Sequence, residues 1–211
     1  MNSKDKVRII ERYNKRLVQY GNSIEALASG KEERRTIRFD VLLGVGISPG
    51  DKVLDLGCGF GDLYPYIQKK FGKGSVQYTG VDINENLISV ARKQFPEAEF
   101  YVKDILHDDF EEYDFIVSTS CFNLRLNFED NYLFVSQLLT ACYNKARKGV
   151  AVDFLTSYVD FRGVEEAFYY EPEKIFKIAK NITKRVTLRH DYPLFEFCVY
   201  LYPDFIGWKN Q

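Results

Sequence analysis

The stretch VLDLGCGFGDL, residues 53–63, places three glycines within five positions directly after an apolar run. The segment KVLDLG predicts a buried strand, and LYPYIQKKFG predicts the helix that follows, with Pro65 in its first turn, where proline is tolerated. Gly57, Gly59 and Gly61 allow the backbone to turn sharply and to approach a ligand closely. An ordinary glycine-rich connection is the alternative, but it does not explain the acidic residues around this turn.

Strands and helices alternate along the chain after this turn. Strand patterns occupy residues 76–83, 98–104, 113–120 and 150–156, and helix patterns occupy residues 84–95, 131–148 and 172–182. Asn84 is a suitable N-cap for the first of these helices, and Pro96 follows its end. This alternation predicts βαβ units and a parallel sheet covered by helices on both faces.

The end of the chain departs from this alternation. RVTLRHDY (185–192) and EFCVYLY (196–202) are two strand patterns separated by about three residues. Because so short a link cannot cross over the sheet, the two strands must be antiparallel. The sequence therefore predicts a parallel α/β sheet that finishes in one antiparallel hairpin.

The first fifty residues have two helix patterns, at residues 6–21 and 31–46, and both end at glycines. We expect this helical segment to fold over the open strand ends as a lid. We therefore predict a single domain over residues 1–211, with an N-terminal helical cap at 1–46 and an α/β core at 51–202.

Composition limits the classes of function. The chain has 211 residues with 29 Lys and Arg against 30 Asp and Glu, so it lacks the broad cationic field that nucleic-acid backbones require. The charged start MNSKDKVRII does not fit a signal peptide, and no segment is long and apolar enough for a membrane span. The four cysteines contain no C-x-x-C pair. We therefore expect a reduced, cytoplasmic protein without bound metal and with no nucleic-acid or membrane partner.

Charge decides between two classes of ligand for the glycine turn. A dinucleotide site has the pattern G-x-G-x-x-G, but the sixth position counted from Gly57 is Asp62. Asp55 and Asp62 flank the turn, and two carboxylates there would repel a pyrophosphate. The sequence therefore favours a nucleoside that carries positive charge.

Two further acids end the next strands. Asp82 follows the turn by a little over twenty residues, a position from which an acid can accept both hydroxyls of an unphosphorylated ribose, with Ile83 packed on an adenine face. Asp104 can accept a hydrogen bond from an adenine amino group, with Ile105 as a backbone donor. An exposed strand-end acid is the alternative for each aspartate.

The segments VLDLGCGFG, YTGVDINENLISVARK and VKDI resemble the successive S-adenosylmethionine (SAM) motifs of class I methyltransferases, and the resemblance covers residues 38–202. It implies a Rossmann-like sheet of seven strands in the order 3-2-1-4-5-7-6 with an antiparallel last strand. It also implies methyl transfer from SAM, leaving S-adenosylhomocysteine (SAH). The cofactor-binding residues that it implies are Asp55, Gly57, Cys58, Gly59, Asp82, Ile83, Asp104, Ile105 and Ser118.

The acceptor is expected to be a small molecule methylated on oxygen or nitrogen. His190 is the candidate general base, because its unperturbed pKa suits proton transfer, although a hydrogen-bonded structural histidine is the alternative. Arg38, with Arg35 as its rival, is the candidate partner of the methionine carboxylate, and Tyr20 is a further candidate cofactor contact. The candidate acceptor pocket contains Tyr13, Asn123, Arg125, Tyr158 and Tyr192.

Two other functions stay open at this point. A non-catalytic SAM-binding partner subunit is possible, because methyl transfer requires no fixed catalytic group. A nicotinamide-dependent oxidoreductase is less favoured. Its Y-x-x-x-K pattern occurs only at Tyr66, in the helix after the glycine turn, and at Tyr170, where Pro172 interrupts it.

Overall fold

The computed structural model describes residues 1–28, 30–161 and 163–204. Six helices and seven strands are assigned within these ranges. The helices are α1 (Ser3–Tyr20), α2 (Glu32–Leu43), α3 (Leu63–Phe71), α4 (Glu85–Gln94), α5 (Asn131–Lys145) and α6 (Pro172–Ile182). The strands are β1 (Lys52–Leu56), β2 (Gln77–Asp82), β3 (Glu99–Val102), β4 (Tyr113–Ser118), β5 (Ala146–Leu155), β6 (Arg185–Arg189) and β7 (Glu196–Tyr202).

The seven strands form one sheet in the order β3-β2-β1-β4-β5-β7-β6. Strands β1 to β5 are parallel, whereas β7 runs antiparallel to both β5 and β6. The predicted strand order and the antiparallel hairpin are therefore confirmed. The reversal on either side of β1 creates the switch point at which α/β sheets of this type bind ligands.

Helices cover both faces of the sheet. On one face, α5 and α6 pack against side chains of the central strands such as Leu54, Ile116 and Val152, which are fully buried. On the other face, α2, α3 and α4 pack on the alternate side chains of the same strands, including Val53 and Val117. Because the central strands are buried on both faces, a charged side chain such as Asp55 within β1 is an exception that requires a reason.

The boundary between the fifth helix and the fifth strand differs from the prediction. The sequence pattern ends the fifth helix just before Gly149, but α5 ends at Lys145 and the chain enters β5 at Ala146. The sheet causes this difference, because Ala146 already pairs with Tyr113 of β4, across a bulge in the register. Strand pairing outweighs the helical preference of the last residues of the pattern.

Helix α1 lies across the carboxyl ends of the parallel strands. The Lys6 ammonium bonds the Asp104 carboxylate after β3 at 2.8 Å, and the Asn84 amide after β2 donates to the Asn14 carboxamide at 3.0 Å. The buried Asp5 carboxylate accepts backbone N–H groups of Asn127 and Phe128 beyond β4. Polar contacts from three strand ends thus hold α1 over the edge where the glycine turn lies.

Candidate active site

A cavity opens at the carboxyl ends of the strands, beneath α1. It contains about 940 Å³ of empty space, part of it open to solvent. Its walls come from α1, α2, the glycine turn and the segments that follow β2 and β4. The lining residues are Met1, Ile9, Ile10, Tyr13, Leu27, Arg35, Arg38, Phe39, Asp55, Gly57, Cys58, Gly59, Asp62, Leu63, Asp82, Ile83, Asn84, Leu87, Thr119, Ser120, Cys121 and Phe122.

The glycine turn forms the floor of this cavity. Gly57 has φ +74°, and its N–H, like that of Cys58, donates to the Val81 carbonyl, so the turn is held against β2. A Cβ at Gly57 would overlap the Sγ of Cys121, and one at Gly59 would lie 3.1 Å from the Leu27 side chain. Any larger residue at Gly57 would therefore collide with the wall opposite.

Asp55 brings a buried carboxylate to the cavity. The side chain is 2% exposed, its Oδ2 accepts the Tyr78 hydroxyl at 2.7 Å, and its Oδ1 has no partner. Burial raises the pKa of Asp55 to about 7; the Tyr78 hydrogen bond acts in the opposite direction, and the nearby Asp82 and Asp62 carboxylates add to the increase. A buried acceptor without a donor, in the wall of a cavity, is suited to a ligand that supplies an N–H or a positive charge.

Asp62 differs from Asp55, because an arginine neutralises it. Asp62 pairs with Arg35 of α2. Arg38 forms a buried bidentate pair with Glu196 of β7, with both N···O distances at 2.7 Å. The two guanidinium groups that line the cavity are thus already bonded to carboxylates.

Asp82 forms the wall on the β2 side. Its Oδ2 accepts the Gly59 N–H at 3.1 Å and its Oδ1 accepts the Asn84 N–H at 2.9 Å. Burial raises the pKa of Asp82, although these backbone bonds act in the opposite direction. Each carboxylate oxygen has a second lone pair, so the group can accept further hydrogen bonds from ligand hydroxyls. The apolar side chains of Ile83 and Leu87 lie beside it.

The structure brings eight of the predicted site residues together around the cavity. These are Tyr13, Arg38, Asp55, Gly57, Cys58, Gly59, Asp82 and Ile83. Burial raises the pKa of the Tyr13 phenol to about 12, so this hydroxyl stays protonated at neutral pH.

The remaining predicted residues lie elsewhere within the described chain. Asp104 bonds Lys6 and His107 beside Ile105, and Ser118 is buried with its hydroxyl bonded to the Leu56 carbonyl. The exposed Tyr20 stacks with Arg16, and Tyr158 donates to Glu173. Three others lie outside the cavity lining. After β4, Asn123 accepts the Leu155 N–H and Arg125 donates to backbone carbonyls. In the final hairpin, the Tyr192 hydroxyl is buried without a hydrogen-bond partner.

His190 is placed on the exposed side of the hairpin connection. Its ring lies 6.1 Å from Tyr158 and 5.9 Å from Phe197, measured between centroids, and it does not line the described cavity. Its assignment as a general base stays a prediction.

Sequence reasoning missed several lining residues. Thr119, Ser120 and Cys121 follow β4 directly, and the rule that ligands lie beyond strand ends points to them as well as to Ser118. Leu27 lies in an irregular segment and contacts the glycine turn more than thirty residues away, a contact for which the sequence has no local signal.

Comparison with known proteins agrees with this geometry. Residues 53–156 match the model of the methyltransferase domain family. This stretch belongs to that family, and the strand order of the sheet is that of the class I methyltransferase fold. The chain superposes on magnesium protoporphyrin IX methyltransferase from Synechocystis PCC 6803, crystallised with SAH, with a TM-score of 0.66 at 17% identity, covering 93% of this chain and 98% of that one.

Curated relatives match the chain over shorter stretches. A 2-phytyl-1,4-naphtoquinone methyltransferase of Trichormus variabilis is 34% identical over 86 residues, which is 38% of this chain and 37% of that protein. A trans-aconitate 2-methyltransferase of Rhizobium rhizogenes is 31% identical over 75 residues, 36% of this chain and 28% of that protein. The chain spans about a third of the length of the curated relatives it matches. Within the described ranges, no helix is long and apolar enough to cross a membrane.

Proposed function

We propose that this chain binds SAM in the cavity beneath α1 and transfers its methyl group to an oxygen or nitrogen atom of a small-molecule acceptor. The observation that carries the proposal is the Asp55 carboxylate, which is buried in the cavity wall with one oxygen unpartnered. SAM carries a sulfonium and an ammonium group, and both are favoured beside a negative charge in a low-dielectric site.

The residues around Asp55 fit the rest of the cofactor. The free lone pairs of Asp82 suit the two hydroxyls of a ribose, and Ile83 and Leu87 are apolar surfaces on which an adenine can pack. The close approach at Gly57 leaves backbone rather than side chains along the floor. Asp104 is bonded to Lys6, so contact between Asp104 and the adenine requires that ion pair to open.

Bound SAM supplies an activated methyl group whose transfer is an in-line displacement at carbon. The contribution of the chain is to hold the acceptor in line, which can supply roughly 7–11 kcal/mol of the barrier. Helix α1 covers the cavity and Tyr13 contributes to its wall, so the chain shields part of the cavity from water. His190, which lies outside the described cavity lining, remains our candidate for removing a proton from the acceptor.

The charges near the cavity favour a neutral or cationic acceptor. Arg35 is paired with Asp62, and Arg38 is paired with Glu196. Among the described residues, no basic side chain forms an ion pair with Asp55 or Asp82. An anionic acceptor would meet an uncompensated carboxylate. The protoporphyrin, naphthoquinone and trans-aconitate methyltransferases among the similar proteins support a small-molecule acceptor, although trans-aconitate is itself anionic.

Titration calorimetry with SAM, SAH and NAD tests the cofactor assignment. We expect SAM and SAH to bind and NAD to show no binding, because a pyrophosphate would meet Asp55. Tight NAD binding with no response to SAM would overturn the proposal.

A methyl-transfer assay with labelled SAM then tests the activity on a panel of neutral hydroxyl compounds, amines and carboxylates. We expect turnover with a neutral or cationic member. Strong SAM binding without turnover on any member would favour a non-catalytic SAM-binding subunit.

A further inference from the structure

The segment after β4 forms the cavity wall that faces the glycine turn. Ser120 in this segment has φ +56°, in the left-handed region that a residue with a side chain rarely adopts. The next residue, Cys121, is the one whose Sγ fills the space above Gly57. The strained backbone at Ser120 therefore sets the distance between the wall and the floor of the cavity.

Asp153 of β5 holds this wall with both carboxylate oxygens. Oδ1 accepts the Ser120 N–H at 2.6 Å, and Oδ2 accepts the Thr119 hydroxyl at 2.6 Å. The Asp153 side chain is 3% exposed and does not itself line the cavity. It thus acts on the cavity through the two residues that it bonds.

The surroundings of Asp153 make a carboxyl group there unfavourable for stability. Glu196 of β7 lies close enough to repel it, while the Arg38 guanidinium, which is paired with Glu196, acts on Asp153 in the opposite direction. Burial and the Glu196 charge raise the pKa of Asp153 to about 7. A buried acid next to a second acid lowers the stability of the fold, so we expect this carboxyl group to be present for a functional reason.

We propose that Asp153 is a positioning residue for the cofactor site, holding Ser120 in its left-handed conformation so that the wall from Thr119 to Cys121 fits against the glycine turn. This inference rests on the proposed function, because the ligand that the wall receives is SAM or SAH. It assigns a role to a side chain that does not touch the ligand.

Asp153→Ala and Asp153→Asn test the proposal, with SAH affinity measured by calorimetry on the full chain. The alanine variant loses both acceptors, and we expect its dissociation constant for SAH to rise about tenfold, the scale of a lost charge-assisted hydrogen bond. The asparagine variant keeps an oxygen for the Ser120 N–H, so we expect its affinity to stay close to that of the wild type. If Asp153→Ala does not fold, Asp153→Ser makes the same test with a polar group that is too short to reach Ser120.

Asp51→Ala is the matched control. Asp51 is also a buried aspartate, 2% exposed, that accepts a backbone N–H and a hydroxyl, both from Ser48, but it lies at the opposite end of the sheet. We expect Asp51→Ala to lower the free energy of unfolding without changing SAH affinity. This separates a positioning effect from a general loss of stability.

Ser120→Gly in the Asp153→Ala background gives a second readout. Glycine adopts positive φ without a steric penalty, so the double variant should recover part of the lost SAH affinity. The positioning role is overturned if Asp153→Ala binds SAH as the wild type does, if folded Asp153→Asn binds as weakly as Asp153→Ala, or if Ser120→Gly restores nothing. If the wild type itself binds neither SAM nor SAH, the proposed function fails and this inference fails with it.

Discussion

The Asp55 carboxyl group makes the stability of the protein depend on pH in a direction that can be calculated. Burial raises its folded-state pKa from 3.8 to about 7. Between these two values the folded chain binds a proton that the unfolded chain releases, so the free energy of unfolding falls as pH rises from about 4 to about 7. Above pH 8 the destabilisation by the ionised Asp55 carboxylate reaches its full value. The difference of about three pKa units between the folded and unfolded states corresponds to about 4 kcal/mol in the free energy of unfolding.

Asp55→Asn removes this penalty and keeps the fold. The amide oxygen still accepts the Tyr78 hydroxyl, and the side chain has nearly the same volume. We expect the variant to be more stable than the wild type by about 4 kcal/mol at pH 8 and by about 1–2 kcal/mol at pH 5. Urea unfolding followed by circular dichroism at both pH values measures the two differences. Equal stability of the two proteins at pH 8 would refute the reasoning.

Asp51→Asn is a control of opposite sign. Burial alone would raise the pKa of Asp51, but hydrogen bonds from the Lys148 ammonium and from Ser48 hold it below 3.8. The Asp51 carboxylate therefore stabilises the fold above pH 4, and this contribution is lost as pH falls through the lowered folded-state pKa. Asp51→Asn is expected to be less stable than the wild type at pH 8, although the two aspartates lie at the two ends of the same strand.

Two further substitutions separate binding from turnover. Asp82→Asn should weaken SAH affinity at least tenfold, because the amide has one oxygen, in place of two, to accept from the backbone N–H groups and the ribose hydroxyls. Calorimetry measures this change, and an unchanged dissociation constant would contradict the ribose assignment. His190→Ala should lower the rate of methyl transfer while SAM affinity stays unchanged, because His190 lies outside the cavity lining. A rate of methyl transfer identical to that of the wild type would exclude His190 as the base.

The sequence predicted the elements whose signals are local. Pro172 begins α6 and Asn84 caps α4 with its side chain, as their positions in the pattern indicate. The short link before Glu196 required an antiparallel pair, and β6 and β7 form one. The boundary at Ala146 was wrong because it depends on pairing with β4, which no pattern within α5 expresses.

The candidate site divides along the same line. Asp55, Gly57 and Asp82 were found because a strand end and a fixed spacing place them at one edge of the sheet. No pattern in the sequence connects Asp153 to the glycine turn. The hydrogen bond between Asp153 and Ser120 joins residues 33 positions apart in the sequence. The two residues come together only because β4 and β5 pair in the sheet.

The structure also refines the charge argument at the glycine turn. The sequence treats Asp55 and Asp62 as equivalent acids on either side of the bend, but Asp62 shares its charge with Arg35, while Asp55 receives only the neutral Tyr78 hydroxyl. Selection between a sulfonium and a pyrophosphate therefore depends mainly on Asp55. Because the pKa of Asp55 is near 7, the charge on its carboxyl group changes with pH in this range. A bound cation favours the charged carboxylate, so SAM should bind more tightly as pH rises through 7. The same rise in pH lowers the stability of the ligand-free fold, because it leaves a buried, unpaired charge on Asp55. A bound cation compensates this charge and therefore also stabilises the fold.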